Sequence, residues 1–329
     1  MRNSNTSATM KDVAREAGVS LGTVSKVFNG IPVGDSYRQR VEKAAKKLNY
    51  QVNIYARGLR ANKTSTVALI LPSIKHPFFA ALADEITATL MRRGYKTMLM
   101  ITNYDPEAEE KCISMVRQNK ADGMIALTYN PDLQVDESLN YVSLDRSMGD
   151  RIPCVASDNF AGGGLAAEKL LELGCKKLLF LRIGTEVAGE ADKRGVGFVS
   201  YCQTRGVEYE TMILNDSDTE EPFYRYLEQH FAPGKADFDG IFCNTDLLAC
   251  RIVEKLRSIG SRVPEEVQVI GFDGVVNYTT GRPYCSTIVQ PLEKLAEAAV
   301  GLLLNDDYSK LSARMYLPVS YASGGTTRD

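Results

Sequence analysis

The chain has 329 residues, of which 44% are hydrophobic and 24% charged, with a formal net charge of −2. That length suits about two domains and buries enough surface to need no disulfide or metal staple. The composition excludes disordered, collagen-like and small disulfide-rich classes, and no apolar run approaches the ~20 residues of a membrane helix.

The polar start MRNSNTSATMKD does not read as a signal peptide. The seven cysteines are odd in number and scattered, with no C-x-x-C, which fits reduced thiols in a cytoplasm. With only two histidines, His76 and His230, no metal site is expected. The charge is uneven. Residues 1–63 carry 12 Lys and Arg against four Asp and Glu, and residues 64–329 carry 27 against 37. A head of net charge +8 on a body of −10 points to a polyanion at the head.

In chain order, Met10–Ala17 reads as a helix with Val13, Ala14 and Ala17 on one face. Gly18 suits a left-handed turn. Ser20 is an N-cap for a second helix, Leu21–Phe28, whose Val24, Val27 and Phe28 face inward. After the loop Asn29–Gly34 a third helix runs to about Leu48, with Val41, Ala44, Ala45 and Leu48 as its buried stripe. This is a helix-turn-helix, whose second helix enters the DNA major groove. Its candidate DNA-contacting residues are Lys11, Ser20, Leu21, Gly22, Thr23, Ser25, Lys26 and Asn29. Gly18–Gly22 also matches the G-x-S-x-G of a hydrolase, but a helix rather than a strand precedes it. Gly195–Ser200 lacks the third glycine or alanine of a dinucleotide fingerprint.

From Thr64 onward strands alternate with helices. The expected strands are Val67–Leu71, Lys96–Ile101, Gly123–Leu127, Tyr141–Leu144, Lys177–Leu181, Met212–Leu214, Gly240–Cys243 and Val267–Ile270. The expected helices include Phe78–Arg93, Pro106–Gln118, Gly162–Leu173, Ala191–Thr204, Glu221–His230, Thr245–Ser258 and Leu292–Leu304. Such alternation means an α/β fold of doubly wound parallel sheets with ligands at the carboxyl ends of strands. Asp145, Asp246 and Asp273 follow strands, Phe78 and Phe79 follow the first, and Arg194 begins a helix. Carboxylates, an arginine fork and aromatic faces suit a polyhydroxylated ring. Asp246 equally suits a helix cap before Leu247, and Phe78-Phe79 the apolar face of a helix. Gly162–Gly164 could cradle an anion, although a permissive helix start is the simpler reading. His76 and the cysteines read as structural.

The segment MKDVAREAGVSLGTVSKVFNG resembles the head of the LacI/GalR family of bacterial transcription regulators. The likeness continues through NIYARGLRANKT, SIKHPFF, VASDNFAGGG, KRGVGF, GIFCNTDLLA, VPEEVQVIGFDG and STIVQP. It implies a helix-turn-helix head at 1–50, a hinge helix at 51–63 and a core at 64–329 of two periplasmic-binding-protein-like lobes. These would span about 64–160 with 291–318, and 161–290 with 319–329. The chain would cross between them near Phe160, Gln290 and Pro318.

In the hinge, the resemblance puts Leu59 as a minor-groove wedge and Arg57 and Arg60 on phosphates, with Val52 where the family usually has proline. It makes Phe78, Phe79, Asp145, Arg194, Asp246, Asp273 and Gln290 the effector contacts. The tail LPVSYASGGTTRD resembles the family's final strand but has Gly324 and Gly325 where a charged residue is more usual.

The implied protein is a homodimer, or a tetramer of dimers, on a near-palindromic operator. It is controlled by a small molecule, with a sugar inducer favoured and a purine corepressor as the alternative. A transporter's solute-binding protein would fit the body but not the basic head. An enzyme would need a nucleophile–base pair, phosphate loop or metal cluster that does not emerge, and no cofactor is expected.

Overall fold

A computed structural model describes residues 8–50 and 64–329, apart from 131–132, 134, 136–138, 150, 185–188, 216–217, 306 and 308–313. The hinge positions Arg57, Leu59 and Arg60 therefore lie outside the described residues. The chain divides into two units, one ending at Thr64 and one starting at Ser65.

The first unit holds helices α1 (Met10–Ala17), α2 (Leu21–Phe28) and α3 (Asp35–Lys47). Local chemistry sets their ends. Thr9 and Asp12 form a reciprocal capping box on α1, and Gly18 ends it at φ 62°. The Ser20 hydroxyl accepts from the Thr23 amide, which starts α2. Val13, Ala17, Val24, Val41, Ala44 and Ala45 form the core, with Val27, Phe28 and Leu48 packed against it.

The second unit contains two six-stranded sheets. The first uses β1 (Thr66–Leu71), β2 (Lys96–Ile101), β3 (Gly123–Ala126), β4 (Tyr141–Leu144), β5 (Cys154–Ser157) and a late strand, β13 (Arg314–Leu317), in the order β13-β5-β4-β3-β1-β2. All its pairings are parallel. The second uses β6 (Lys177–Gly184), β7 (Glu208–Asn215), β10 (Gly240–Cys243), β11 (Gln268–Asp273), β12 (Ser286–Val289) and β14 (Ser320–Ala322), in the order β14-β12-β11-β10-β6-β7. Only β14 runs antiparallel there. A small hairpin, β8 (Phe231–Ala232) with β9 (Lys235–Ala236), stands apart.

Central strands such as β1 and β11 are buried almost throughout, as sheets covered on both faces require. Helices α4 (Pro77–Arg92) and α10 (Leu292–Leu303) cover one face of the first sheet, and α5 (Pro106–Gln118) the other. Helices α6 (Asn159–Glu172) and α7 (Lys193–Arg205) cover one face of the second, and α8 (Glu221–His230) and α9 (Asp246–Ser258) the other. The chain thus passes between sheets after β5, after β12 and after β13.

Several details differ from expectation. Strands β5, β8, β9, β12 and β13 are additional to those expected, β14 lies in the tail that resembles the family's final strand, and β7 is eight residues long rather than three. Helix α6 starts at Asn159, capped by Asp158, three residues before the glycine run. Those glycines are not an anion cradle. A Cβ on Gly163 would lie 1.8 Å from the Arg194 carbonyl oxygen, and one on Gly197 would lie 1.9 Å from that of Phe160. Helices α6 and α7 touch backbone to backbone, and that contact seats Arg194 at the start of α7.

The tail glycine is also explained. A Cβ on Gly324 would meet the Cys285 backbone at 2.2 Å, and the Gly324 amide donates to Ser286 Oγ at 3.0 Å. No side chain fits there. Gly325, at φ 82°, takes the left-handed conformation glycine favours.

Candidate functional site

Parallel strands end together, so the residues just past them converge from both sheets. There the second unit holds a cavity of about 240 Å³. Of the seven expected contacts, Phe78, Phe79, Asp145, Arg194 and Asp273 line it, and Asp246 and Gln290 do not.

Arg194 is the hub and is 3% exposed. Its Nε donates to Asn159 Oδ1 at 2.7 Å, and its Nη1 donates to the Asn244 carbonyl at 2.6 Å and to Asp273 Oδ1 at 3.4 Å. Its guanidinium lies 3.7 Å from the centroid of the Phe272 ring. Because Asn159 gives its oxygen to Arg194, its amide nitrogen turns to Asp145 Oδ1 at 3.2 Å and to the Ser157 carbonyl at 3.0 Å. Burial pushes the Asp145 and Asp273 carboxyls above the usual range, and the Arg194 charge opposes this in both. Both aspartates sit at positive φ, 53° and 127°, so tertiary contacts hold a strained backbone there.

Gln290 closes a ring behind the cavity. Its Nε2 donates to Asp273 Oδ1 at 2.8 Å and its Oε1 accepts from Ser157 Oγ at 2.8 Å. With both ends committed and 3% exposure, it positions Asp273 rather than facing a ligand. Asp246 is corrected in the same way. Thr245 caps α9, and the Asp246 carboxylate turns inward to accept from the Val275 amide at 2.6 Å. It thereby anchors the turn that follows Asp273.

Several lining residues escaped the sequence reading: His76, Tyr104, Tyr129, Arg146, Arg182, Asp192, Asn244 and Arg251. The strand-end rule that selected Asp145 and Asp273 extends to Asn244, which directly follows β10, and to Arg182 near the end of β6. His76, taken as structural, borders the cavity beside Phe79, with ring centroids 5.2 Å apart. Its Nδ1 is buried without a partner among the described residues. Burial, then the charges of Arg194 and Arg251, lower its pKa to about 4, so it is neutral at pH 7. Three arginines of the wall are already paired: Arg182 with Asp192, Arg194 with Asp273, and Arg251 with Glu220.

On the head, Lys11, Ser20, Leu21, Gly22, Lys26 and Asn29 are exposed, and Thr23 and Ser25 half-buried. The Ser20 hydroxyl is spent on the helix start and on Thr23 Oγ1 at 2.9 Å. Asn29 donates to Ser25 Oγ at 3.2 Å. Lys26 and the apolar Leu21, the latter 36% exposed, are open to solvent on α2. No described helix is long and apolar enough to cross a membrane.

Comparison with known proteins bears on both units. Residues 9–53 match the family described as bacterial regulatory proteins, lacI family. Residues 64–301 match periplasmic binding proteins and sugar binding domain of LacI family. The chain is 32% identical over 326 residues to the ribose operon repressor of Bacillus subtilis, covering 98% of this chain and 99% of that one. It is 30% identical over 325 residues to the sucrose operon repressor of Pediococcus pentosaceus, covering 96% and 98%. A solved LacI-type regulator from Alkaliphilus metalliredigens, complexed with D-xylulofuranose, superposes with a TM-score of 0.70 at 27% identity, over 80% of this chain and 100% of that one.

Proposed function

The chain belongs to the LacI family of bacterial regulatory proteins, and we propose that it is a cytoplasmic repressor whose hold on operator DNA is set by an uncharged carbohydrate bound between its two sheets. One observation carries this reading. The cavity sets the carboxylates of Asp145 and Asp273 beside the Arg194 fork, with aromatic rings at its edge and three of its four arginines neutralised by acids. Such a wall offers hydrogen-bond acceptors and donors to hydroxyl groups without a large charge excess for a phosphate. The sugars named for the ribose and sucrose repressors, and the D-xylulofuranose of the solved relative, support the same class.

A ligand held by residues of both sheets alters the angle between them. It shifts the balance only by its difference in affinity for the two arrangements. The family precedent is release of DNA on sugar binding. A homodimer, or a tetramer of dimers, presents two heads to two half-sites. Lys26, the hydroxyls and Leu21 read the major groove, the latter through thymine methyl groups. Lys11, Ser20, Gly22, Thr23, Ser25 and Asn29 complete that surface, Arg57 and Arg60 take phosphates, and Leu59 wedges into the minor groove.

The test is thermal unfolding of the full chain against D-ribose, sucrose, other free sugars, sugar phosphates and purines. A ligand at ~100 times its dissociation constant adds about 2.7 kcal/mol. A midpoint rise with a free sugar is expected. A rise with purines alone replaces the inducer by a corepressor, and silence across the set rejects control by these ligands.

A further inference from the structure

The segment Gly189–Lys193 lies between β6 and α7, and its middle is a single 3₁₀ turn, Glu190–Asp192. Gly189, Ala191 and Asp192 line the cavity. Asp192 ties the segment to the second sheet. Its carboxylate pairs with Arg182 of β6 and accepts from the Gly189 amide at 2.7 Å.

Glu190 and Lys193 do not line the cavity and reach the first sheet instead. The Glu190 amide donates to the Asp145 carbonyl at 3.2 Å. The Tyr316 hydroxyl, from the edge strand β13, donates to Glu190 Oε1 at 3.3 Å and accepts from Lys193 Nζ at 3.3 Å. Lys193 Nζ also lies 2.6 Å from Glu190 Oε2, as an ion pair, and 5.0 Å from the centroid of the Tyr316 ring. An acid, a cation and a phenol thus close a triangle between the two sheets.

We propose that Tyr316 is a positioning residue of the cavity. With Glu190 and Lys193 it clasps the Gly189–Lys193 segment to the first sheet and so holds the two sheets closed. Its role in the regulator rests on the function proposed above, whereas the clasp itself is tested without a ligand.

Two features tie the clasp to the cavity. The Glu190 amide bears on Asp145, which lines the cavity with its backbone at φ 53°, a conformation that needs tertiary contacts to hold it. Lys193 directly precedes Arg194, the hub. Parting the sheets breaks both Tyr316 bonds and the Glu190–Asp145 bond together. The buried Glu190 carboxylate is then left with Lys193 as its remaining clasp partner, so opening carries a desolvation cost.

Because the Glu190 amide bonds across the sheets, its hydrogen exchange reads the clasp. The experiment follows that amide by mass spectrometry with single-residue fragmentation, in the ligand-free full-length protein. In wild type it is expected to be protected, with a rate nearly flat in low urea, as for a local opening. Amides of β11 exchange by unfolding and rise with urea. Tyr316→Phe keeps the ring and removes both hydroxyl bonds, and should speed Glu190 exchange about tenfold. Lys193→Met should act alike, and Lys193→Arg, which keeps the charge, should stay close to wild type. Both side chains are partly exposed, so these changes leave the core packed. Four results overturn the proposal: an unprotected Glu190 amide in wild type, a urea slope shared with β11, unchanged exchange in Tyr316→Phe, or equal acceleration by both Lys193 variants.

Discussion

Replacing Gly163 by alanine adds one methyl group at the closest point between α6 and α7. Its Cβ would sit 1.8 Å from the Arg194 carbonyl oxygen and 2.9 Å from the Phe198 nitrogen. Both are backbone atoms, so no side chain can swing aside. Ordinary contact begins near 3.5 Å, so the helices must part by about 1.5 Å at that point. Overpacking of this kind costs about 3 kcal/mol, against a gain of about 1 kcal/mol from the better helix propensity of alanine. The same displacement takes Arg194 Nε from 2.7 Å to beyond hydrogen-bond reach of Asn159 Oδ1.

Gly164→Ala, one residue on, is the control, since its nearest neighbour would be at 3.8 Å and only the propensity gain applies. In a chain of this size each kcal/mol moves the midpoint by roughly 2–4 °C. Thermal unfolding is therefore expected to place G163A at least 4 °C below wild type and G164A at or above it. G163A should also lose its response to whichever sugar stabilises the parent. If the two variants melt together, the close helix contact is not what the glycine run serves.

Arg194→Met leaves Asp273 buried without its counter-ion. A loss of about 3 kcal/mol, read from denaturant unfolding, is expected along with loss of ligand binding; unchanged stability would contradict the role of Arg194 as hub. His76 gives a pH signature. Its folded pKa of about 4 lies below the unfolded value of 6.5, so its contribution is complete above pH 6.5 and declines as pH falls toward 4. Wild type should lose up to about 3 kcal/mol more than His76→Asn across that window, and parallel pH profiles would refute it. Thr9→Ala removes the hydroxyl that accepts from the Asp12 amide and leaves the Thr9 amide's bond to the Asp12 carboxylate, and hydrogen exchange over Val13–Ala17 should report a loss of about 1 kcal/mol. Unaltered protection there would mean that the hydroxyl half of the box contributes nothing.

What was readable in the chain followed from how local the signal is. Helices α1 and α2 have the expected limits because Gly18 and Ser20 punctuate them within a few residues. Strand β1 was visible as a solid apolar run. Strands β5 and β12, CVAS and STIV, are four residues of mostly small or hydroxyl side chains, and only neighbouring strands on both sides make them strands. At the site, Asp145, Arg194 and Asp273 stood out as polar groups at element ends. The roles of Asn159, Ser157 and Gln290 could not be read, because they rest on bonds across 35, 133 and 17 residues. Gln290 was grouped with ligand contacts by position, but its hydrogen bonds place it behind them. The glycine run looked ambiguous until α7 lay against it.

The threading of the sheets has a consequence for synthesis. Strand β13 completes the edge of the first sheet beside β5, and β14 completes the second beside β12, yet both fall within residues 314–322. A nascent chain that has reached residue 313 holds ten of the twelve strands of these two sheets but has finished neither. Open edges then face solvent at β5 and β12 together, a state prone to pairing with other chains. One stop codon placed just before Arg314 would injure both halves at once, whereas a tandem arrangement of halves would confine the damage to one.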